Sequence, residues 1–249
     1  MPEALTLGWR QYRLERRMFW RNPAAAFFNF LLPLALLALL GAVASGHQSE
    51  LNIIVPGIAG MSVMTTTFIA LAHNMTALRE DGVLKRIRGT PLPAGAYLGA
   101  LAANAVTNAA VQVSLVVVAG KLFFGLGWPR DGVELVVFVA AGVVCFASLG
   151  VALSHAIPNS ESAPVIANAV FLPVILISGV FFDPKHAPVF LRDIAQALPL
   201  THVIDGLKSA MVTGTGLGHN LSALAVIAIW TVAGVVLAVR GFSWDQRRA

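Results

Sequence analysis

Charged side chains leave six long uncharged stretches in this chain: residues 22–49, 51–78, 89–120, 135–160, 162–182 and 209–239. Asp, Glu, Lys and Arg are costly in hydrocarbon, and a helix needs ~20 largely apolar residues to cross it. The pattern therefore predicts an all-α membrane protein with six transmembrane helices, near 27–46, 54–74, 95–119, 134–155, 163–182 and 219–240. The interval 183–208 differs, because Asp183, Lys185, Arg192, Asp193, Asp205 and Lys208 leave no uncharged run of ~17 residues. It reads as a loop with short helices, running to about 213. Composition agrees: 57% of residues are hydrophobic and 12% charged, against roughly 25% charged in soluble domains.

The basic residues orient the helices, since cytoplasmic loops retain Lys and Arg. Twelve fall on one side: Arg10, Arg13, Arg16, Arg17 and Arg21 at the N-terminus, Arg79, Lys85, Arg86 and Arg88 in the second loop, and Arg240, Arg247 and Arg248 in the 241–249 tail or at its border. Five fall on the other, and both termini are expected in the cytoplasm. The formal charge of +5 is mostly this topology and does not point to nucleic acid. Ala42-Val43-Ala44 resembles a signal-peptidase site, but the apolar run before it exceeds the usual ~7–15 residues, so the first span is expected to stay. Cys145, the single cysteine, lies in a span and offers no disulfide or CxxC chemistry.

Within residues 1–26, the segment 4–21 is expected to be an amphipathic interfacial helix. At 100° per residue Arg10, Arg13, Arg17 and Arg21 share one face, while Trp9, Tyr12, Phe19 and Trp20 occupy a neighbouring arc. Arg16 falls among the aromatics and would have to snorkel. The third span carries Asn104, Thr107, Asn108 and Gln112 on one side, a substrate path or a helix interface. Gly95 and Gly99 near its start permit close approach of another helix. Thr65, Thr66 and Thr67 are expected to bond local carbonyls. His73 and His155, near predicted span ends, read as interfacial or structural residues, because no acid within the spans is available to partner them. That lack of an intramembrane carboxylate also disfavours an ion-driven carrier or a passive channel.

Catalytic motifs are missing: the chain has no HExxH, CxxC or GxSxG. Gly120-Lys121 fails as a phosphate loop, with Leu115 and Leu122 where Gly and Ser or Thr are required. A membrane enzyme acting on lipid-linked substrates would have to draw on Asp183, His186, His202 and Asp205, whose spacing matches no metal motif. No catalytic residue, metal site or bound cofactor is expected.

Two interruptions carry more information than the spans. The first, within 77–92, reads Leu78-Arg79-Glu80-Asp81-Gly82-Val83-Leu84-Lys85-Arg86-Ile87-Arg88-Gly89-Thr90-Pro91-Leu92. It predicts a short cytoplasmic helix, with Asp81 and Lys85 as an i,i+4 pair and Gly89 and Pro91 as its end. Leu78, Leu84 and Ile87 lack a core of their own there, which suggests a docking surface joined directly to two spans. The second follows the fifth span: Ser178-Gly179-Val180-Phe181-Phe182, then Ala197-Leu198-Pro199-Leu200-Thr201-His202 and Asp205-Gly206-Leu207. Pro199 predicts two short helices, near 187–198 and 200–212, apolar enough to dip back into the membrane.

In this order among six spans, the two segments resemble those of the ABC-2 type membrane subunits of ATP-binding-cassette exporters. The first is similar to that family's Glu-Arg-Glu-x-Gly-x-Leu-Lys-Arg-Leu-Arg-x-Thr-Pro-Leu loop, with Leu78 where an acid is common, and the second to its signature before the last span. The resemblance implies that Leu78, Arg79, Glu80, Asp81, Lys85, Arg86, Ile87 and Arg88 form a coupling helix seated on a separate ATPase. Arg10, Arg13, Arg17 and Arg21 would belong to a connecting helix, and Ser178, Gly179, Phe181, Pro199 and Thr201 to the outer-helix signature. It further implies two ATPase subunits carrying the ATP and Mg, a second identical or related permease, and export of an amphipathic drug, antibiotic, lipid or glycan-linked substrate. Arg outnumbers Lys 13 to 4, which with abundant Ala, Val and Gly points to a GC-rich bacterium and its plasma membrane.

Overall fold

A computed structural model describes residues 2–21, 23–83, 94–182 and 187–241. Among these, every regular element is a helix. The chain runs through α1 (Pro2–Arg21), α2 (Pro23–Val43), α3 (Gln48–Met64), a π-helical turn (Thr65–Ile69) and α4 (Ala70–Glu80). It continues with α5 (Ala94–Phe124), α6 (Gly132–Ser154), α7 (Ala163–Ile177), α8 (Val189–Ala197), α9 (Pro199–Lys208), a second π-helical turn (Ser209–Thr213) and α10 (Leu221–Gly241).

Four continuous helical stretches are long and apolar enough to cross a membrane: Gln48–Glu80, Gly99–Phe124, Gly132–Ser154 and Leu217–Gly241. Of the other two expected spans, α2 is apolar over its described stretch Asn29–Val43, and α7 is a shorter apolar helix, Ala163–Ile177. At about 1.5 Å per residue, α7 falls short of a ~30 Å hydrocarbon core. The reason lies at its end, where Gly179 at φ 81° turns the chain. Below, the end of the bundle carrying Glu80 and Ser154 is called inner and the opposite end outer, after the expected orientation.

Helix α3 is the centre. Every residue from Ile54 to Met64 is buried, as an all-round apolar helix requires, and α2, α5, α6 and α9 pack around it. Thr65 and Thr66 donate to Met61 O and Ser62 O at 2.8 Å, and Thr67 to Val63 O at 2.6 Å. These are the local carbonyl bonds expected of the three threonines, and they lead straight into the π-helical turn. Glycines set the closest approaches. A Cβ on Gly57 would overlap the Val180 carbonyl, and one on Gly150 would lie 2.6 Å from Phe68 O. The Gly95/Gly99 spacing behaves otherwise, since a Cβ on Gly99 meets open space and the side-chain environment of Gly95 lies outside the described residues.

The expected pair of short helices is present, broken at Leu198 with φ −84° and ψ 135°. Its depth was less legible. The second member, α9, is buried along Leu200, Val203, Ile204 and Leu207 and packs against α3, α6 and α10. The break is met by Trp230, whose Nε1 donates to Ala197 O at 2.8 Å, and by His202, whose Nε2 donates to Gln196 O at 2.8 Å. Trp230 lies halfway along Leu221–Gly241, so α8 and α9 form a re-entrant hairpin reaching the middle of the bundle.

Substituting Gly57→Ala forces the α3 backbone away from Val180, an overpacking cost of ~1–3 kcal/mol. The purified protein's melting temperature should fall by several degrees, whereas Gly99→Ala leaves it unchanged or slightly raised. Trp230→Phe keeps most of the apolar volume but strands the Ala197 carbonyl, costing about 1 kcal/mol. A thermal-shift assay should show a drop of about 2–4 °C.

Candidate functional site

The first interruption begins differently from its expected form. Leu78, Arg79, Glu80 and Asp81 do not belong to a separate loop helix; α4 runs on through Glu80, and the chain turns at Gly82 with φ 66°. Left-handed backbone is cheap only for glycine, so α4 ends there. Lys85, Arg86, Ile87 and Arg88 lie outside the described residues, as do Leu84, Gly89 and Pro91. Leu78 finds a place to bury, against a small cluster of Leu71, Met75, Tyr97 and Leu101.

Arg79 and Glu80 turn toward their own chain. The Arg79 guanidinium donates through Nη1 to Ser154 O at 2.9 Å and through Nη2 to Ile157 O. Ser154 ends α6, and the final carbonyls of a helix have no partner within it. A cation there also suits the helix dipole. The Ser160 N–H donates to Glu80 Oε2 at 2.6 Å, and hydrogen bonds from the Ser160 side chain, then from its backbone, hold the exposed Glu80 carboxyl below the usual carboxylate range. His155 completes the tie by donating to Ala238 O of α10 at 3.1 Å. The end of α4 is thus fastened to the loop joining α6 and α7, and that loop to α10.

Above these ties lies a cavity of about 710 Å³, within the ~300–1,000 Å³ of small-molecule sites. Met64, Phe68, Phe146 and Leu149 form its back, Val170 and Val174 of α7 one side, and Trp230 and Leu237 of α10 the other. His155 marks its inner end; Leu198 and Pro199, at the hairpin apex, close the outer one. Helices α7 and α10 barely touch, so the cavity opens sideways between them. Its lining is almost wholly apolar.

The polar stripe of the third span does not line this cavity. Tyr12 Oη meets Thr107 Oγ1 at 3.0 Å, Arg16 Nη1 donates to Asn108 Oδ1 at 2.5 Å, and Gln112 Nε2 approaches Phe30 O at 3.4 Å. Asn104 Oδ1 and Gln112 Oε1 are buried without a hydrogen-bond partner. Helix α1 therefore lies along the inner half of α5. Arg16, which fell among the aromatics, is taken up by Asn108 and by the Trp20 ring 5.8 Å away, while Arg10, Arg13, Arg17 and Arg21 are exposed. Burial raises the Glu15 carboxyl above its usual range. Its charged form is disfavoured in the docked helix, so α1 docking strengthens as pH falls through that raised value.

The absence of an acid within the spans requires correction. Glu134, the third residue of α6, is completely buried. Its Oε2 accepts from Ser209 Oγ at 3.0 Å and its Oε1 from Asn220 Nδ2 at 2.7 Å. The carboxylate knots α6, the second π-helical turn and the entry to α10 together. The signal was present in Asp131-x-x-Glu134, the spacing of a capping box, and Asp131 accepts from Glu134 N at 2.9 Å. Beside this knot lies a polar cavity of about 220 Å³ reached by Ser178, Gly179 and Asp205. Ser178 Oγ and Thr201 Oγ1, both of the outer-helix signature, are buried without partners. Gly179 supplies the positive φ, Phe181 packs on the core, and Pro199 starts α9. Asp183 and His186 lie outside the described residues, and among those described no three His, Cys, Asp or Glu come together as a metal site.

Comparison with known proteins fits this arrangement. A family model described as "ABC-2 type transporter" matches residues 3–212. The chain is 28% identical over 125 residues to "Probable multidrug ABC transporter permease YbhS" of Escherichia coli K12, a match covering 49% of this chain and 32% of that protein. Against "Nodulation protein J" of Rhizobium meliloti it is 28% identical over 237 residues, 89% of each. Against "Daunorubicin resistance ABC transporter permease protein DrrB1" of Streptomyces coeruleorubidus it is 26% identical over 198 residues, 73% of this chain and 66% of that protein.

Because its carboxyl is held below the ordinary value of 4.5, Glu80 binds Ser160 fully above that pH and releases it as pH falls through the depressed value. A spin label at Asn159→Cys should be immobile at neutral pH and gain mobility under acid. In Glu80→Gln, where only a neutral acceptor remains, that mobility should already be raised at neutral pH.

Proposed function

Since the chain belongs to the ABC-2 type transporter family, we propose that it is the permease subunit of an exporter driven by ATP hydrolysis on a separate ATPase. Six spans with both termini in the cytoplasm, a bacterial plasma membrane, two ATPase subunits with their ATP and Mg, and a second permease complete the proposal. The reading draws support from the permease names of the relatives. The observation that carries it is the line of bonds from Arg79 and Glu80 to the α6–α7 loop and on to α10, directly beneath the side-opening cavity.

The work is divided along the chain. Residues 82–92 bear on the ATPase, and Arg79 and Glu80 pass displacement of that loop to both walls of the cavity. An amphipathic drug, antibiotic or lipid, or the lipid part of a glycan-linked substrate, places its apolar portion among Phe68, Phe146, Val170 and Trp230, where burial contributes ~25 cal/mol per Å². No bond is made or broken in the substrate by this chain. The multidrug and daunorubicin-resistance names of two relatives bring efflux and antibiotic resistance within the proposal without choosing one cargo.

Co-expression with a candidate ABC ATPase subunit tests the assembly. The two should co-purify, and substrate-dependent transport should require hydrolysis. Arg86→Glu is expected to weaken co-purification, as a surface contact would. Arg79→Leu should leave the complex intact while reducing transport per ATP by roughly tenfold, equivalent to about 1.4 kcal/mol of lost coupling. Failure to associate with any ATPase would sink the reading.

A further inference from the structure

The exposed face of α1 carries charge that the described residues leave unanswered. Arg10, Arg13, Arg17 and Arg21 all face outward, and none has a hydrogen bond or ion pair among those residues. The acid of the same helix, Glu15, is turned the other way, half-buried and held by Gln11 at 2.8 Å. Interleaved with the arginines are Trp9, Leu14, Met18 and Trp20, exposed by 61, 49, 56 and 55%. Around the C-terminal half, Leu14, Arg16, Arg17, Met18, Trp20 and Arg21 surround a concave surface of about 500 Å³. Arg16 is engaged with Asn108, which leaves Arg17 and Arg21, one turn apart, as the free cations at its rim.

Depth decides what can reach them. Arg16 bonds Asn108, the tenth residue of the apolar stretch Gly99–Phe124. Arg17 and Arg21 precede Pro23, where α2 and the first expected span begin, by six and two residues, whereas Arg10 and Arg13 lie farther toward the start of α1.

We propose that Arg17 and Arg21, with Leu14, Met18 and Trp20, form a binding site for one anionic glycerophospholipid. Its phosphate lies between the two guanidinium groups and its proximal acyl chain runs over the leucine, methionine and tryptophan. Arginine suits this role because its planar fork gives two parallel hydrogen bonds to a phosphate, and Trp20 beside it prefers the interface. The lipid neutralises the outer face of α1 while Tyr12 and Arg16 hold the inner face on α5. The helix is thereby clamped between span and bilayer. The inference does not depend on the export reading.

Native mass spectrometry of the full-length chain, released from mild detergent after titration with phosphatidylglycerol, phosphatidylcholine or inorganic phosphate, tests it. The expected result is one retained phosphatidylglycerol per chain, with little phosphatidylcholine and no retained phosphate. Arg17→Gln with Arg21→Gln should weaken retention roughly 30-fold, from ~1 kcal/mol for each arginine, while the corresponding lysine pair keeps much of it. Arg10→Gln with Arg13→Gln, nearer the inner end, should change it little. Equal losses from both glutamine pairs would mean diffuse attraction and overturn the site, as would equal retention of the two lipids. So would glutamine variants at Arg17 and Arg21 that keep the lipid but no longer bind an ATPase subunit.

Discussion

A backbone carbonyl left unpaired in hydrocarbon is expensive, and this chain breaks its helices in several places where water cannot repair the loss. Several of these breaks have a side chain assigned to them. Trp230 and His202 satisfy the carbonyls at the end of α8, so the hairpin can turn at Leu198 in the middle of the bundle. Arg79 does the same for the end of α6. Thr65, Thr66 and Thr67 bond the carbonyls that lead into the π-helical turn below α3. Without these partners the re-entrant hairpin and the inner loop would have no fixed position, and the cavity between them no defined ends.

The cavity is therefore a consequence of how the breaks are held. Its outer end is the hairpin apex, fixed by Trp230 on α10, and its inner end is His155, bonded to the same helix. Helix α10 thus touches both ends, whereas α7 packs on α4, the first π-helical turn and α8 and is joined to α6 by the loop that Arg79 and Glu80 grip. A displacement delivered at Gly82 has a short covalent and hydrogen-bonded route to the α6–α7 loop. That asymmetry makes the gap between α7 and α10 the part of the molecule best placed to widen or close.

Much of this was legible in the pattern of charges. Uncharged windows located the four long apolar helices, and Pro199 marked the break between α8 and α9 within one residue. Features depending on contacts between distant segments were not. Nothing near Trp230 announces that it serves Ala197, and Arg79 reads as a loop cation until Ser154 is seen beside it. Glu134 was missed for a different reason: placed at the edge of an uncharged window, it looked like a boundary, while its partners Ser209 and Asn220 are 75 and 86 residues away. The polar stripe on α5 was recognised as needing a partner, but amphipathicity alone placed α1 at the membrane surface and could not reveal that Tyr12 and Arg16 meet it.

Under the proposed function, the loop gripped by Arg79 moves one wall of the cavity relative to the other. Spin labels at Val170→Cys and Leu237→Cys, on facing walls, would read that separation in the assembled transporter, with the buried Cys145 left in place. The distance distribution should shift between nucleotide-free and ATP-bound states and no longer shift in Arg79→Leu. A distribution unchanged by ATP in an actively transporting complex, or one that shifts equally without Arg79, would contradict it.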